Sequence, residues 1–252
     1  MEFPYHISIG HSSILLHTIM ELLGYFAGFR YYLFLKKRKG DPISVDNRTW
    51  IFIGAIFGSL LGSRLLGGLE NYPELLKSEN WFMEFYYNKT ILGGLLGGLW
   101  AVEITKKIIG EKRSSGDLFV YPLLLAMIIG RIGCFSMGVY EETYGISTTL
   151  PWGMHLGDHY LRHPVALYEI IFLAVLWLCL ALIEKKRKLE SGMLFKIFMI
   201  SYLIFRFLLD FIKPHYTWSF GLSSIQIACL IGLLYYLYIL LIRKFIFPQN
   251  KS

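Results

Sequence analysis

Three arginines lie in the outward halves of apolar segments, where a charged side chain is unfavourable: Arg64, Arg131 and Arg206. A fourth, Arg30, lies toward the inner end of the first segment, where its long side chain can reach the membrane interface. A charge at the centre of a bilayer costs about 2.5–3.5 kcal/mol on insertion scales, so such residues are usually functional. Guanidinium groups bind phosphate through two parallel hydrogen bonds, and a phospholipid supplies a phosphate at the membrane interface. We therefore predict that the three arginines form a cationic pocket for a phospholipid phosphate. Local pairing that only stabilises the protein is the alternative.

Two acidic residues follow basic residues at a spacing of four, which places each pair on one face of a helix. Asp210 follows Arg206 in this way, and Glu21 follows His17. The first spacing predicts an ion pair that fixes the Arg206 guanidinium. A neutral imidazole held by a carboxylate can act as a general base, so His17 is a candidate for removing a proton. A hydrogen-bonded pair without chemistry is an equal alternative for His17.

The cysteines Cys134, Cys179 and Cys229 lie far apart, in or beside apolar segments. No CxxC motif or His/Cys spacing typical of metal ligands is present, so the spacing predicts neither a disulfide framework nor a zinc site. No motif indicates an organic cofactor. We therefore expect no metal and no other cofactor.

A glycine-rich stretch, Gly93-Gly94-Leu95-Leu96-Gly97-Gly98, begins the third apolar segment. Small residues four positions apart allow two helices to approach closely. Close helix packing is therefore the preferred interpretation, and binding of phosphate by backbone amides is the alternative.

The composition is that of a membrane protein, because 55% of the 252 residues are hydrophobic and only 17% are charged. A membrane-spanning helix needs about 20 mostly apolar residues, and helices satisfy their own backbone hydrogen bonds in lipid. We predict an all-α membrane protein with one domain over residues 1–252. The seven predicted spans are Ile14–Leu35, Trp50–Leu69, Thr90–Ile109, Leu118–Phe135, Val165–Ile183, Met193–Ile212 and Ser223–Ile242.

The basic residues between the spans predict the orientation of the chain. Clusters of lysine and arginine follow spans one, three, five and seven, whereas the other loops are acidic or nearly neutral. Positive loops remain in the cytoplasm, which predicts an outer N-terminus, a cytoplasmic C-terminus and a first span that is not a cleaved signal peptide. The net charge is +7, which in a soluble protein could indicate nucleic-acid binding. Because the basic residues are clustered between the spans, we do not expect nucleic acid as a partner. The longest outward loop, Ser136–Arg162, is predicted to be functional rather than a spacer.

Six motifs occur in an order that is similar to that of a known family. The longest is Gly130-Arg131-Ile132-Gly133-Cys134-Phe135-Ser136-Met137-Gly138. The others are Gly62-Ser63-Arg64-Leu65, Gly93-Gly94-Leu95-Leu96-Gly97, His163-Pro164 with Leu167-Tyr168-Glu169, Tyr202-Leu203-Ile204-Phe205-Arg206-Phe207 with Asp210, and Gly221-Leu222-Ser223-Ser224-Ile225-Gln226. Together they resemble the bacterial prolipoprotein diacylglyceryl transferases over nearly the whole chain.

The resemblance implies a multi-pass enzyme of the bacterial inner membrane that acts in lipoprotein biosynthesis. Such enzymes move the diacylglyceryl group of phosphatidylglycerol to the thiol of a lipobox cysteine in a prolipoprotein and release glycerol phosphate. The resemblance implies that Arg131 and Arg206 are catalytic. We expect Tyr202 and Asp210 to orient Arg206, and His17 to help remove the proton of the acceptor, with Glu141 or Glu142 as alternatives. The expected substrate-binding residues are Arg64, Gly133, Gly138, Glu141, Gly145 and His163.

The sequence departs from the family pattern at residues that could meet the acceptor. Cys134 replaces the usual asparagine, Leu92 replaces a histidine, and His17 aligns with a tyrosine. These departures leave two alternatives open. The same fold could transfer a phospholipid-derived group to another acceptor, or the arginines could serve a phospholipid-binding or transport protein that is not an enzyme.

Overall fold

The computed structural model describes residues 3–9 and 12–246, and it is mainly helical. In chain order the elements are β1 (His6–Ile9), β2 (Ser12–Leu15), α1 (Leu16–Lys39), α2 (Val45–Glu70), α3 (Tyr72–Lys77), α4 (Trp81–Tyr87), α5 (Ile91–Ile108), α6 (Val120–Met137), β3 (Met154–His155), β4 (Leu161–Arg162), α7 (Val165–Lys186), α8 (Met193–Leu209) and α9 (Ser224–Ile246). Short 3-10 turns cover Asp117–Phe119, Gly138–Tyr140 and Asp210–Ile212.

Each of the seven predicted spans forms a helix, which agrees with an all-α membrane protein. Within the described residues, four helical stretches are long and apolar enough to cross a membrane. They are Val45–Glu70, Asp117–Tyr140, Val165–Lys186 and Ser224–Leu241. The helices α1, α5 and α8 remain predicted spans, since α8 has only 17 residues and the other two carry more polar sequence.

Two short antiparallel hairpins accompany the helices, and the sequence did not predict them. In the first, β1 pairs with β2 and places Ile7 opposite Ile14. The helix α1 therefore begins at Leu16 rather than at Ile14, because apolar residues with β-branched side chains suit a strand as well as a span. The sixth predicted span, Met193–Ile212, also differs from the structure. Its helix, α8, ends at Leu209, and Asp210–Ile212 forms a 3-10 turn. The second hairpin pairs β3 with β4.

The chain divides into two compact units, and each unit is discontinuous in sequence. The first unit comprises Met1–Asp41, Ser114–Phe198 and Phe211–Pro214. The second unit comprises Pro42–Arg113, Met199–Asp210 and His215–Ser252. A single domain over residues 1–252 stays a prediction.

In the first unit, α1 packs closely against α6 because small residues line the contact. A Cβ atom added to Gly24 would lie 3.0 Å from the carbonyl oxygen of Ala126, and one added to Gly28 would lie 3.1 Å from the Ala126 Cβ. The Asp117 carboxylate accepts hydrogen bonds from the backbone amides of Gly192, at 2.6 Å, and Phe195, at 3.0 Å. Asp117 thus satisfies amides at the start of α8, as an N-terminal cap does.

In the second unit, α2 and α5 are joined by four glycines with almost no space between the two backbones. An added Cβ at Gly62 would lie 2.3 Å from the Gly93 oxygen, and one at Gly97 would lie 2.3 Å from the Gly58 oxygen. Thr90 caps α5, since its hydroxyl accepts a hydrogen bond from the Gly93 amide at 3.1 Å. The packing interpretation of the glycine-rich stretch is confirmed.

The Glu111 carboxylate, which lies just after α5, accepts several hydrogen bonds within the second unit. Arg113 donates from Nε at 2.7 Å and from Nη2 at 2.6 Å, and the Asn47 side-chain amide donates at 3.0 Å. These hydrogen bonds, those from Arg113 first, hold the pKa of Glu111 well below its ordinary value of 4.5. The ionised form therefore stabilises the loop that follows α5.

Replacing Glu111 should lower thermal stability in a pH-dependent manner. Because the pKa is depressed in the folded protein, the stabilisation is complete above the ordinary pKa of 4.5 and declines as the pH falls below it. We expect Glu111→Gln to lower the Tm by a few degrees at pH 7 and by progressively less in acid, as measured by thermal unfolding in detergent. Glu103→Gln is the control, since the Glu103 carboxylate is half-exposed beside Lys106. A Tm difference between Glu111→Gln and the wild type that became larger as the pH fell would contradict this prediction.

Candidate functional site

Arg131 is buried in α6 and forms an ion pair with Glu169 of α7. The Arg131 Nε atom lies 2.9 Å from Glu169 Oε2, and the exposed fractions of the two residues are 7% and 0%. A buried charge is tolerated when a partner of opposite sign compensates it. The sequence places Glu169 as a charge at the start of the fifth span and within a family-like motif, and the structure identifies it as the counterion of the predicted catalytic arginine.

Three side chains with different chemistry meet beside Arg131: His17 from α1, Cys134 from α6 and Glu141 from the segment after the 3-10 turn. One ligand atom of each lies within 4.8 Å of the others. The His17 Nε2 atom is 3.6 Å from Glu141 Oε2, and Arg131 Nη1 is 3.6 Å from Cys134 Sγ. The His17 ring therefore contacts Glu141 rather than the predicted partner Glu21. Glu21 instead accepts a hydrogen bond from the Tyr25 hydroxyl.

Gly133 allows α1 to pack close to α6 at this cluster, because a side chain at position 133 would push α1 away. An added Cβ would lie 3.0 Å from His17 Cδ2 and 3.0 Å from Met20 Cβ. The structure therefore gives Gly133, a predicted substrate-binding residue, a packing role next to His17.

The predicted functional loop, 136–162, folds back on itself, and two of its glycines make that possible. Gly138 has φ +59°, and an added Cβ would lie 2.1 Å from the Leu156 oxygen. An added Cβ at Gly145 would lie 2.5 Å from His163 Cβ. Cys134 lines one small cavity together with loop residues that include Gly138 and Leu156. Gly138 thus allows the loop to return beside the cavity at Cys134, and Gly145 allows it to approach His163.

His163 is held at the other end of this loop through its ring. Its Nδ1 atom lies 3.1 Å from the Tyr168 hydroxyl, which also accepts a hydrogen bond from Trp152 Nε1 at 2.9 Å. Arg162 lies 4.9 Å from the centre of the Tyr144 ring and pairs with Asp158 at 2.7 Å. Side-chain contacts therefore tie this end of the loop to the start of α7.

In the second unit, Tyr202, Arg206 and Asp210 are all buried on or just after α8. The Ser223 hydroxyl donates a hydrogen bond to Asp210 Oδ2, and the same oxygen lies 3.7 Å from His215 Nδ1. The structure thus gives Asp210 partners beyond the helix that carries Arg206.

Ser223 and Gln226 form a reciprocal capping box at the start of α9. The Gln226 amide donates to Ser223 Oγ at 3.0 Å, and the Ser223 amide donates to Gln226 Oε1 at 3.0 Å. This pattern explains the Ser-Ser-Ile-Gln part of the sixth motif as a helix start. Because Ser223 also donates to Asp210, the cap ties α9 to the end of α8.

Arg64 contacts an aromatic side chain that sequence analysis did not predict. Its guanidinium carbon lies 4.8 Å from the centre of the Tyr86 ring of α4, a cation–π arrangement within the second unit. Arg131 belongs to the first unit, and Arg64 and Arg206 belong to the second. The meeting of the three arginines in one pocket stays a prediction.

The family model for prolipoprotein diacylglyceryl transferase matches residues 4–242. The chain belongs to this family. It is 31% identical to the phosphatidylglycerol–prolipoprotein diacylglyceryl transferase of Nitratidesulfovibrio vulgaris (strain Miyazaki F), over 90% of this chain and 88% of the relative. It is also 31% identical to the protein of the same name from Wolbachia pipientis (subsp. Culex pipiens), over 93% and 94% of the two chains.

Family membership confirms that the protein is a transferase of lipoprotein biosynthesis, and its apolar helices make it a multi-pass membrane protein. In this transferase, Arg131 is the second residue of the longest family-like motif, and the structure places it beside Glu169 and Cys134. One feature of the sequence could have predicted the ion pair between Arg131 and Glu169. The two residues carry opposite charges and lie in consecutive apolar segments. The grouping of His17 with Cys134 and Glu141 has no such signal, because the three lie on separate segments.

Proposed function

We propose that the transferase moves the diacylglyceryl group of phosphatidylglycerol to the thiol of a lipobox cysteine in a prolipoprotein. The observation that carries this proposal is the buried Arg131 guanidinium, fixed by Glu169 at 2.9 Å and adjacent to Cys134. An anion-binding group thus lies beside a cluster whose imidazole and carboxylate can accept a proton. Transfer of an alkyl group from a phosphate ester to a thiol needs both functions.

In the proposed reaction, the arginines stabilise the charge that develops on the leaving phosphate. The carbon–oxygen bond of the ester breaks and glycerol phosphate leaves with the electron pair. A fixed cation in a site without bulk water stabilises such charge strongly. We assign this role to Arg131 and Arg206, with Arg64 as a further phosphate ligand. Tyr202 and Asp210 orient Arg206.

The acceptor thiol must lose its proton to become a nucleophile, and we assign His17 to this step. Support comes from its contact with Glu141, at 3.6 Å, and from the partial exposure of both side chains. Glu142 is the alternative carboxylate. The remaining proposed substrate contacts are Gly133, Gly138, Gly145 and His163. Gly138 lines the small cavity with Cys134, Gly133 packs against His17, and Gly145 packs against His163.

We further propose that the single domain crosses the bacterial inner membrane seven times, with the N-terminus outside and the C-terminus in the cytoplasm. The alternating basic loops support this orientation. Apolar side chains exposed along α1, among them Phe26, Phe29 and Phe34, support its assignment as a span. The proposed partners are phosphatidylglycerol, other membrane lipids and the lipobox peptide, and nucleic acid is not among them.

Mass spectrometry of a lipobox peptide tests the proposed reaction directly. The purified protein is incubated with phosphatidylglycerol vesicles and the peptide, and we expect the peptide to gain one diacylglyceryl group at its cysteine. A peptide with serine in place of that cysteine should remain unmodified. Arg30→Ala is a control variant that should retain transfer, because Arg30 is exposed on α1.

Two results would contradict the proposal in different ways. Cleavage of phosphatidylglycerol without modification of the peptide would indicate another acceptor. Movement of intact lipid between vesicles without cleavage would indicate a binding or transport protein.

A further inference from the structure

The cluster of His17, Cys134 and Glu141 has the composition of a metal site. A ring nitrogen of His17, the Cys134 sulfur and a Glu141 carboxylate oxygen lie within 4.8 Å of one another. All three residues belong to the first unit. Cys134 is buried, while the side chains of His17 and Glu141 retain 16% and 28% of their exposure. The cysteine is therefore enclosed, whereas the His17 and Glu141 side chains are partly exposed, with Glu141 Oε2 itself buried.

The spacing of the three ligand atoms is close to what a tetrahedral zinc ion needs. Zinc bonds of about 2.0–2.3 Å imply ligand separations of roughly 3.3–3.6 Å. The His17 Nε2 to Glu141 Oε2 distance is 3.6 Å, and the remaining separations are at most 4.8 Å. Side-chain movements of about 1 Å would complete the geometry, and the short turn before Glu141 can supply such a movement.

The charges around the cluster also suit a divalent cation. Glu141 Oε2 is sealed from solvent and has no hydrogen-bond partner within the described part of the chain, which is unfavourable for a carboxylate. The opposing cation is Arg131, whose Nη1 lies 3.6 Å from the sulfur, and Glu169 compensates it from the other side. A thiolate and a carboxylate then supply two negative charges to the site.

We propose that His17, Cys134 and Glu141 bind a zinc ion whose fourth position receives the acceptor thiol. Thiolate, imidazole and carboxylate together favour zinc over magnesium or calcium, which prefer ligand sets made only of oxygen. Three protein ligands with an open fourth position are typical of catalytic zinc sites rather than structural ones.

Coordination to the zinc ion would activate the acceptor thiol. This inference rests on the proposed transfer reaction. The acceptor thiol releases its proton to solvent when it coordinates zinc. The bound thiolate then donates an electron pair to the glyceryl carbon and forms a carbon–sulfur bond. The carbon–oxygen bond to the phosphate breaks, and glycerol phosphate leaves with that electron pair. In this form of the reaction His17 is a zinc ligand rather than the group that receives the proton, and the neutral thioether product dissociates.

Metal binding is measured first, without reference to activity. The purified full-length protein is stripped with a chelator, reloaded with Zn²⁺ and analysed by mass spectrometry for bound metal. We expect one zinc ion per chain. Cys134→Ser and His17→Gln should each lower the affinity by more than the 10–100-fold that outer-sphere partners contribute. Cys179→Ser is the matched control and should bind zinc normally, because Cys179 is exposed on α7.

Cobalt gives a second readout that is specific for the sulfur ligand. A thiolate-to-cobalt charge-transfer band should appear in the wild type and in Cys179→Ser and be absent from Cys134→Ser. Equal zinc affinity and an equal band in Cys134→Ser would overturn the proposed site.

Activity then separates the metal site from the proposed function. Stripping the metal should lower the rate of peptide modification at least about 100-fold, the lower end of what assisted proton transfer contributes, and zinc should restore it. Full transfer by the stripped protein would overturn metal activation and leave the proposed function intact. Zinc binding that depends on Cys134, in a protein that never modifies the peptide, would support the site and contradict the proposed function.

Discussion

Arg131→Ala should reduce transfer of the diacylglyceryl group by at least about 100–1,000-fold, the usual effect of removing one fixed donor from a charged transition state. The reason is the buried position of the guanidinium beside Cys134 and its fixation by Glu169. The measurement is the initial rate of peptide modification by mass spectrometry, with phosphatidylglycerol in excess. Arg30→Ala, which removes an exposed arginine from α1, should retain the wild-type rate.

The same substitution leaves Glu169 buried without its recorded ion pair, so stability must be measured together with activity. Breaking a buried pair costs about 3–5 kcal/mol, because the remaining charge is uncompensated. The double variant Arg131→Ala with Glu169→Gln removes that charge and should recover much of the lost Tm. We expect it to remain inactive. Recovery of transfer along with the Tm would show that Arg131 serves only the structure.

Gly93→Ala should destabilise the protein strongly, whereas Gly94→Ala, at the next residue, should not. An added Cβ at Gly93 would lie 2.2 Å from the Gly62 backbone oxygen, which cannot move unless α2 and α5 separate. Overpacking costs about 1–3 kcal/mol, and at the upper end this lowers the Tm by roughly 6–12 °C in a chain of this size. Thermal unfolding in a single detergent measures the difference.

Gly94 is a close control, because it differs from Gly93 only in the side of α5 on which it lies. The nearest atom to its added Cβ is the Ser59 oxygen, at 3.7 Å, which is an ordinary contact. Since alanine favours a helix over glycine by about 0.8–1 kcal/mol, Gly94→Ala should leave the Tm unchanged or raise it. Equal destabilisation by both substitutions would show that α2 and α5 do not depend on the close approach.

The helices could be predicted from the sequence because a long apolar run in lipid has few other ways to satisfy its backbone. Each of the seven predicted segments contains a helix, and four helical stretches are long and apolar enough to span within the described residues. The strand β2 shows the limit of this argument. Ile14 and Leu15 are as apolar as the helix that follows them, yet they pair with β1. Hydropathy does not distinguish the two outcomes.

The site could be predicted only in part. Charge in an apolar segment identified Arg131 and Arg206 without any structure, since the unfavourable insertion of a charge is visible in the sequence. The i, i+4 spacing predicted that His17 pairs with Glu21, whereas in the structure His17 contacts Glu141. That rule describes one helix surface, and contacts between helices depend on the rotation of each helix about its axis.

The sequence by itself determined the membrane character, the helical segments, the close glycine packing and the family. Each of these depends on local composition, or on motifs that survive in order along the chain. The tertiary structure alone decided that Glu169 neutralises Arg131 and that His17, Cys134 and Glu141 share one cluster. Glu169 is tens of residues from Arg131, and His17 is farther still from Cys134 and Glu141. Only the packing of α1, α6 and α7 in the first unit brings these side chains within reach of one another.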